Sequence, residues 1–230
     1  MNLFTRKTKI IETILDSLYP SPTSTLYYIN EYTLLISVLL TAKSKEKKVN
    51  EITKHLFKKI RTPRDMIRFS VDEIKNFIKN IGLYNKKSKN IYDLSTILIN
   101  KYNNVIPKNI SILKSLPGVG HKTASVFLSH VSNVPVFPVD THIHRMMARW
   151  QLSDGKNVKK TEKDAKRIFN KINWKKLHLQ IIFYAKEYSP SKKWNVNKDI
   201  IYQELLRNNL LEKFSRKVNH RNHQKIKMEI

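Results

Sequence analysis

The residue pattern predicts an all-α fold of about ten short helices, on three observations. Apolar residues recur at three- and four-residue intervals, helix start signals precede several of those runs, and no segment alternates apolar and polar residues between turn signals. The amino terminus opens with a helical pattern that carries Glu12 and Asp16. Leu34, Leu35, Val38, Leu39 and Ala42 mark a further helix, Ile52, Leu56 and Ile60 another, then Ile74, Phe77, Ile78 and Ile81, then Ile91, Leu94, Ile97 and Leu98. Thr62-Pro63-Arg64-Asp65 sets a cap residue before a first-turn proline, Ser70 with Glu73 reads as a capping box, and Thr161 with Asp164 is expected to start a helix in the same way.

The chain's 230 residues, 40% hydrophobic and 27% charged, suffice for an ordinary apolar core, and 4 glycines with 8 prolines exclude fibrous and disordered classes. The longest apolar stretch, Tyr32 to Ala42, is about eleven residues and is interrupted by Thr33, Ser37 and Thr41, well short of the ~20 that span a bilayer. No membrane contact is expected. The amino terminus lacks a small-residue cleavage site, so neither a signal nor a transit peptide is expected, and the protein is expected in the cytoplasm, associated with the nucleoid. With 0 cysteines the sequence excludes a disulfide scaffold, cysteine-ligated zinc and a cysteine-bound iron–sulfur cluster.

Lys and Arg number 44 against 18 Asp and Glu, a formal charge of +26 and a pI near 10.1. A polyanion is the natural partner of such a field. Because 34 of the 44 basic residues are lysine and Ile and Asn are also frequent, AT-rich coding accounts for part of this charge. Charge supplies affinity without specifying chemistry. The segment from Lys213 to Ile230, with six Lys or Arg, two His and one Glu, reads as a basic tail.

Glycine is scarce, and two of the four, Gly118 and Gly120, fall within Leu116-Pro117-Gly118-Val119-Gly120. Such a turn calls for positive φ or for close approach of the backbone to something else. The sequence predicts a helix ending near Ser115 and a second beginning around His121 and running through Ala124, Val126, Phe127 and Leu128. The first N–H groups of that second helix lack intrahelical partners and carry the positive end of the macrodipole, which makes the turn an anion site with Leu116 and Val119 as its apolar anchors.

Leu116-Pro117-Gly118-Val119-Gly120-His121-Lys122-Thr123-Ala124 resembles the helix-hairpin-helix motif of the endonuclease III family of DNA glycosylases. Val139-Asp140-Thr141-His142-Ile143-His144-Arg145 resembles the aspartate loop of that family. Tyr32 to Ala42, Ile81-Gly82-Leu83-Tyr84-Asn85 through Ile91, and Gly155-Lys156-Asn157-Val158 follow in the family's order, so the resemblance covers roughly residues 10 to 195.

The resemblance implies two helical lobes flanking a DNA-binding cleft: a six-helix bundle with the hairpin at about 26–134, and a second lobe from 1–25 and 135–212, followed by the tail at 213–230. It implies Lys122 as nucleophile and Asp140 as its partner, with Gly118, Val119, Gly120, His121 and Thr123 meeting the DNA backbone. The chemistry is coherent. A lysine is almost wholly ammonium at neutral pH and must become a free amine to attack carbon, and a helix's first turn disfavours a cation. A fixed carboxylate stabilises the cationic sugar that appears as the glycosidic bond breaks. The partner implied is duplex DNA with damaged bases or abasic sites, bound by a monomer, and the activity is excision of oxidised pyrimidines with AP-lyase strand cleavage.

Leu83 lies where the family wedges an apolar side chain into the duplex, and Lys43 occupies the position of the glutamine that usually fills the space of the flipped base. A lysine there offers only donors, which puts opposite-base preference in question. Many relatives place four cysteines after the second lobe to hold a [4Fe–4S] cluster. Here the region Tyr188-Ser189-Pro190-Ser191-Lys192-Lys193-Trp194-Asn195 has none, so no cofactor is expected and Trp194 and Tyr188 are expected to pack this end. His142 and His144, with His121 and His130 nearby in sequence, form an H-x-H pair without a third ligand, and no metal is expected. Two other readings stay open: a non-catalytic helix-hairpin-helix DNA-binding protein, and a mismatch adenine glycosylase without lyase activity.

Overall fold

The computed structural model describes residues 2–132 and 134–212; the basic tail at 213–230 lies outside the described residues. Among the described residues the regular structure is entirely helical. In chain order the helices are α1 (Leu3–Leu18), α2 (Glu31–Thr41), α3 (Glu46–Lys59), α4 (Pro63–Met66), α5 (Val71–Ile78), α6 (Tyr84–Tyr102), α7 (Ile110–Ser115), α8 (His121–Val131), α9 (Thr141–Arg149), α10 (Val158–Ile168), α11 (Trp174–Glu187) and α12 (Ile200–Arg207). The chain divides into two compact units. One holds Ser21–Asp140 with Lys171–Leu179, the other Met1–Pro20, Thr141–Asn170 and the chain from Gln180.

The first unit is built around α2. Every side chain from Tyr32 to Leu40 is buried, because this helix is apolar nearly all round, which suits a central helix that neighbours enclose. Its start is fixed by a capping box in which Asn30 accepts from the Thr33 N–H while the Thr33 hydroxyl serves the Asn30 N–H. Leu56, Phe57, Ile74, Ile78, Ile91, Leu94 and Leu98 pack in the same core. The two start signals expected at Thr62 and Ser70 are present as capping boxes with Asp65 and Glu73. Phe137 meets Trp174 edge-on at 6.1 Å, which ties the segment before Asp140 to Lys171–Leu179 within this unit.

In the second unit α1 buries Ile11 and Leu15 together with Lys7, whose Nζ donates to the carbonyls of Trp150 and Gln151 at 3.2 and 3.1 Å. A long apolar stem with a donor tip thus closes the carboxyl-terminal end of α9's turn. Here the sequence expectation for Thr161 is corrected. The N-cap of α10 is Asn157, which accepts from the Lys160 N–H, while Thr161 lies inside the helix with its hydroxyl on the Asn157 carbonyl and the His144 ring. A threonine three residues before an aspartate also describes one helical face, so the pattern alone places the start one turn late. Asp164 instead accepts from the Ser153 hydroxyl and Lys160.

Around residues 188–199 the Arg149 guanidinium donates to the Ser189 carbonyl and hydroxyl at 2.7 Å and to the Pro190 carbonyl at 3.1 Å, and lies 4.0 Å from the Trp194 ring centre. Trp194 Nε1 donates to Asp199, which also accepts from the Tyr184 hydroxyl, and Tyr188 stacks on Tyr184 at 5.1 Å. Trp194 and Tyr188 do pack this end, through an arginine the sequence reading left out.

Candidate active site

The hairpin forms from α7, which ends at Ser115, and α8, which begins at His121, as the sequence predicts. Leu116 and Val119 are buried and hold the turn to the core, joined by a Val119 N–H to Leu116 carbonyl bond of 3.1 Å. Val119 therefore faces inward, and its N–H is committed to the turn. The two glycines differ in kind. Gly118 has φ +76°, and a Cβ there would press on the Asn90 side chain at 2.8 Å and on Leu39 at 3.1 Å. Gly120 is an extended N-cap at φ −81°, and a Cβ there would meet nothing within 4 Å. Nothing among the described residues requires glycine at 120, so the space in front of it suits an incoming group that must reach the backbone closely. No side chain caps the N-terminus of α8, and its first residues, His121 and Lys122, are exposed while Thr123 is half-buried.

Asp140 is half-buried at the end of a segment whose Val136, Phe137, Pro138 and Val139 are all buried, so the carboxylate emerges from a fixed apolar stem. Behind it lies His178 of α11, 3% exposed, with Nδ1 3.1 Å from the Pro138 carbonyl oxygen. A carbonyl only accepts, so Nδ1 carries a proton, and it is burial that keeps the ring neutral. Burial pushes this imidazole down to about 4, against the upward pull of Asp140, while His130 and Lys122 add to the lowering. Asp140 and Lys122 are thus brought within electrostatic reach of one buried ring, in one structural unit.

The match to proteins of known kind is extensive. The family model for the HhH-GPD superfamily base excision DNA repair protein matches residues 36–171. Endonuclease III of Buchnera aphidicola subsp. Acyrthosiphon pisum is 36% identical over 193 residues, which cover 84% of this chain and 92% of the relative. Endonuclease III of Escherichia coli K12 is 41% identical over 143 residues, 62% of this chain and 68% of the relative. Two solved structures agree with the fold: a non-covalent Endonuclease III–DNA complex, TM-score 0.82 at 31% identity over 90% of this chain and 99% of the other, and a trapped Endonuclease III–DNA covalent intermediate described as an estranged-adenine complex, TM-score 0.79 at 34% identity over 83% and 91%. The chain belongs to the endonuclease III family of the HhH-GPD superfamily.

Within this endonuclease III framework the remaining candidates fall as follows. Lys43 and Leu83 are both exposed, Leu83 at 56%, and both adopt left-handed backbone, with φ of 53° and 61°. Among the described residues no group of three or more His, Cys, Asp or Glu is arranged to hold a metal. His142 and His144 have other partners, the Arg145 guanidinium at 3.2 Å and the Thr161 hydroxyl at 2.8 Å. The donors around Ser189, Pro190 and Trp194 include no thiolate, so this region does not suit a [4Fe–4S] cluster. His178 is the residue that sequence reasoning missed: it stands alone on an apolar helix, far along the chain from hairpin and aspartate, with no motif around it. Among the described residues no helix is long and apolar enough to cross a membrane.

Proposed function

We propose that this chain is a base-excision DNA glycosylase with AP-lyase activity that acts, without a bound cofactor, on oxidised pyrimidines and abasic sites in duplex DNA inside the cell. The observation that carries the reading is that an exposed first-turn lysine, Lys122, and the half-buried Asp140 both act electrostatically on the same buried ring, His178. Support for the DNA-binding part comes from the +26 charge and from the open backbone at Gly120 ahead of an uncapped helix.

In this reading, a damaged base is rotated out of the duplex, a step that costs least where pairing is already poor. The deprotonated Lys122 amine bonds to the anomeric carbon as the glycosidic bond breaks, and the base leaves with that electron pair and takes up a proton. The Asp140 carboxylate stabilises the positive charge on the sugar and accepts the proton shed by the lysine nitrogen. Ring opening gives a Schiff base. Loss of a 2′ proton from that imine expels the 3′ phosphate, which breaks the strand on the 3′ side of the site.

Borohydride reduction tests this directly. Wild type incubated with a duplex containing an oxidised pyrimidine or an abasic site is expected to give a covalent adduct that Lys122→Ala abolishes. Asp140→Asn is expected to bind the duplex as tightly while single-turnover excision falls by about two to four orders of magnitude. Salt-sensitive binding with no adduct would favour the non-catalytic DNA-binding protein, and base release without an adduct the adenine glycosylase.

A further inference from the structure

Lys43 and Leu83 lie on different loops, after α2 and before α6, and three side-chain and backbone features join those loops. Lys87, in the first turns of α6, is 4% exposed despite its charge. Its Nζ donates to the Leu40 carbonyl at 2.9 Å, the Ala42 carbonyl at 2.5 Å and the Ser44 hydroxyl at 3.1 Å, which satisfies all three ammonium hydrogens. Leu40 and Ala42 are carbonyls at the end of α2, where no following turn supplies a partner and a cation is favoured. The Ser44 hydroxyl also accepts from the Gly82 N–H at 3.1 Å, and a Cβ at Gly82 would collide with the Lys43 carbonyl oxygen.

The two loops are therefore in backbone contact, with Lys43 at that contact through its own carbonyl and Leu83 one position beyond Gly82. Both residues are held in the left-handed region, which costs a non-glycine residue roughly 1–2 kcal/mol and persists only where surroundings over-determine it. A leucine in that conformation that is also 56% exposed serves neither backbone ease nor core packing. The Lys87 ammonium is the over-determining group. Burial lowers it to about 8, so it sits there against its own solvation and is retained by its three acceptors.

We infer that Lys87 is a positioning residue which, through Ser44 and Gly82, locks the loops at 41–44 and 81–84 together so that Lys43 and Leu83 enter the duplex as one two-pronged wedge. The inference rests on reading Lys43 and Leu83 as residues that occupy the space of the flipped base. It adds that the two prongs are one mechanical unit, set by a lysine that does not itself touch DNA.

The test uses the full chain and the rate of borohydride trapping on an abasic site, presented in duplex and in single-stranded oligonucleotide, where no base stack has to be entered. The ratio of the two rates isolates the wedge. Lys87→Met is expected to lower the duplex-to-single-strand ratio about ten-fold, in the range seen when a positioned group is displaced by an ångström or less. Leu83→Ala is expected to lower the same ratio, and the double variant to lose little more than either single one, because a wedge that is already displaced cannot be lost twice. Should Lys87→Met fold poorly, Ser44→Ala leaves the ammonium its two carbonyls and is expected to shift the ratio in the same direction by about two- to three-fold. A ratio that both Lys87→Met and Ser44→Ala leave unchanged, or multiplicative losses in the double variant, would overturn the inference while Leu83→Ala still lowers the ratio. A ratio that Leu83→Ala does not move would overturn the wedge reading and the inference with it, and a wild type with no adduct on either substrate would overturn the glycosylase reading first.

Discussion

The hairpin turn at Leu116–Gly120 and the loops at Lys43 and Leu83 are both tight, yet they treat backbone strain in opposite ways. In the hairpin the left-handed position is given to a glycine, Gly118, and the open position to another, Gly120. In the loops the left-handed positions are given to a lysine and a leucine. A turn whose product is bare main chain gains by having no side chains. A loop whose product is a projecting side chain must carry that side chain through the strained region, and something buried has to hold it there. Lys87 does so for the loops, and the hairpin needs only Leu116 and Val119 in the core. The segment leading to Asp140 resembles the loops in this respect, since His178 donates to the Pro138 carbonyl from behind.

The largest expected effect concerns that buried support. His178 has a folded-state value depressed to about 4 from an ordinary 6.5, so it is neutral when folded over a range in which the unfolded chain would protonate it. Its contribution to stability is present above pH 6.5 and is lost as pH falls through about 4. Urea unfolding of the wild type between pH 7 and pH 4 is expected to show a loss on the order of 2–3 kcal/mol, much of which His178→Gln should remove from the pH dependence. An equal pH dependence in the variant would mean that other groups carry the loss.

Next in size, the same substitution at the two hairpin glycines is expected to separate conformation from access. Gly118→Ala requires φ +76° and crowds Asn90 and Leu39, and should lower stability by about 1–3 kcal/mol in thermal or denaturant unfolding. Gly120→Ala should leave stability within about 0.5 kcal/mol, since its φ is ordinary and its Cβ meets nothing, while weakening duplex binding several-fold by titration at fixed salt. If Gly120→Ala binds duplex as wild type does, the backbone there is not a contact surface.

The smallest effect has the opposite sign. Leu83→Gly keeps the left-handed backbone without a Cβ and is expected to raise stability by up to about 1 kcal/mol while excision from duplex falls. A variant that gains stability and loses function at one position would show that the strain is kept for the side chain. A loss of stability would show instead that Leu83 is held by packing.

Local signals were legible wherever neighbours in sequence are partners in space. The capping boxes at Thr62 and Ser70 followed from spacing, because a cap and its target are three residues apart, and the end of α7 and the start of α8 followed from the glycine turn between them. Thr161 failed for the same reason, since its spacing to Asp164 fits the inside of a helix as well as its start, and only Asn157 in place settles the choice. Lys122, Asp140 and Leu83 were singled out because they lie within strings that resemble a family's, and Lys43 because it directly follows one. Lys7, Arg149 and His178 were not, because nothing in their surroundings by sequence distinguishes them from the other basic residues, and Lys87, though inside such a string, shows its role only through the carbonyls that reach it from the end of α2.

By itself the sequence determined an all-helical chain, a polyanionic partner, a glycine turn opening a helix, and the absence of any thiolate chemistry; each follows from composition or from interactions between residues a few positions apart. Only the tertiary structure decided which lysines leave water, which hairpin glycine is held in left-handed backbone and which has open space before it, and that Asp140 and Lys122 both act on one buried imidazole. Those outcomes depend on desolvation and on acceptors supplied from distant parts of the chain, and burial of that kind is a property of the packed core rather than of any local stretch of residues.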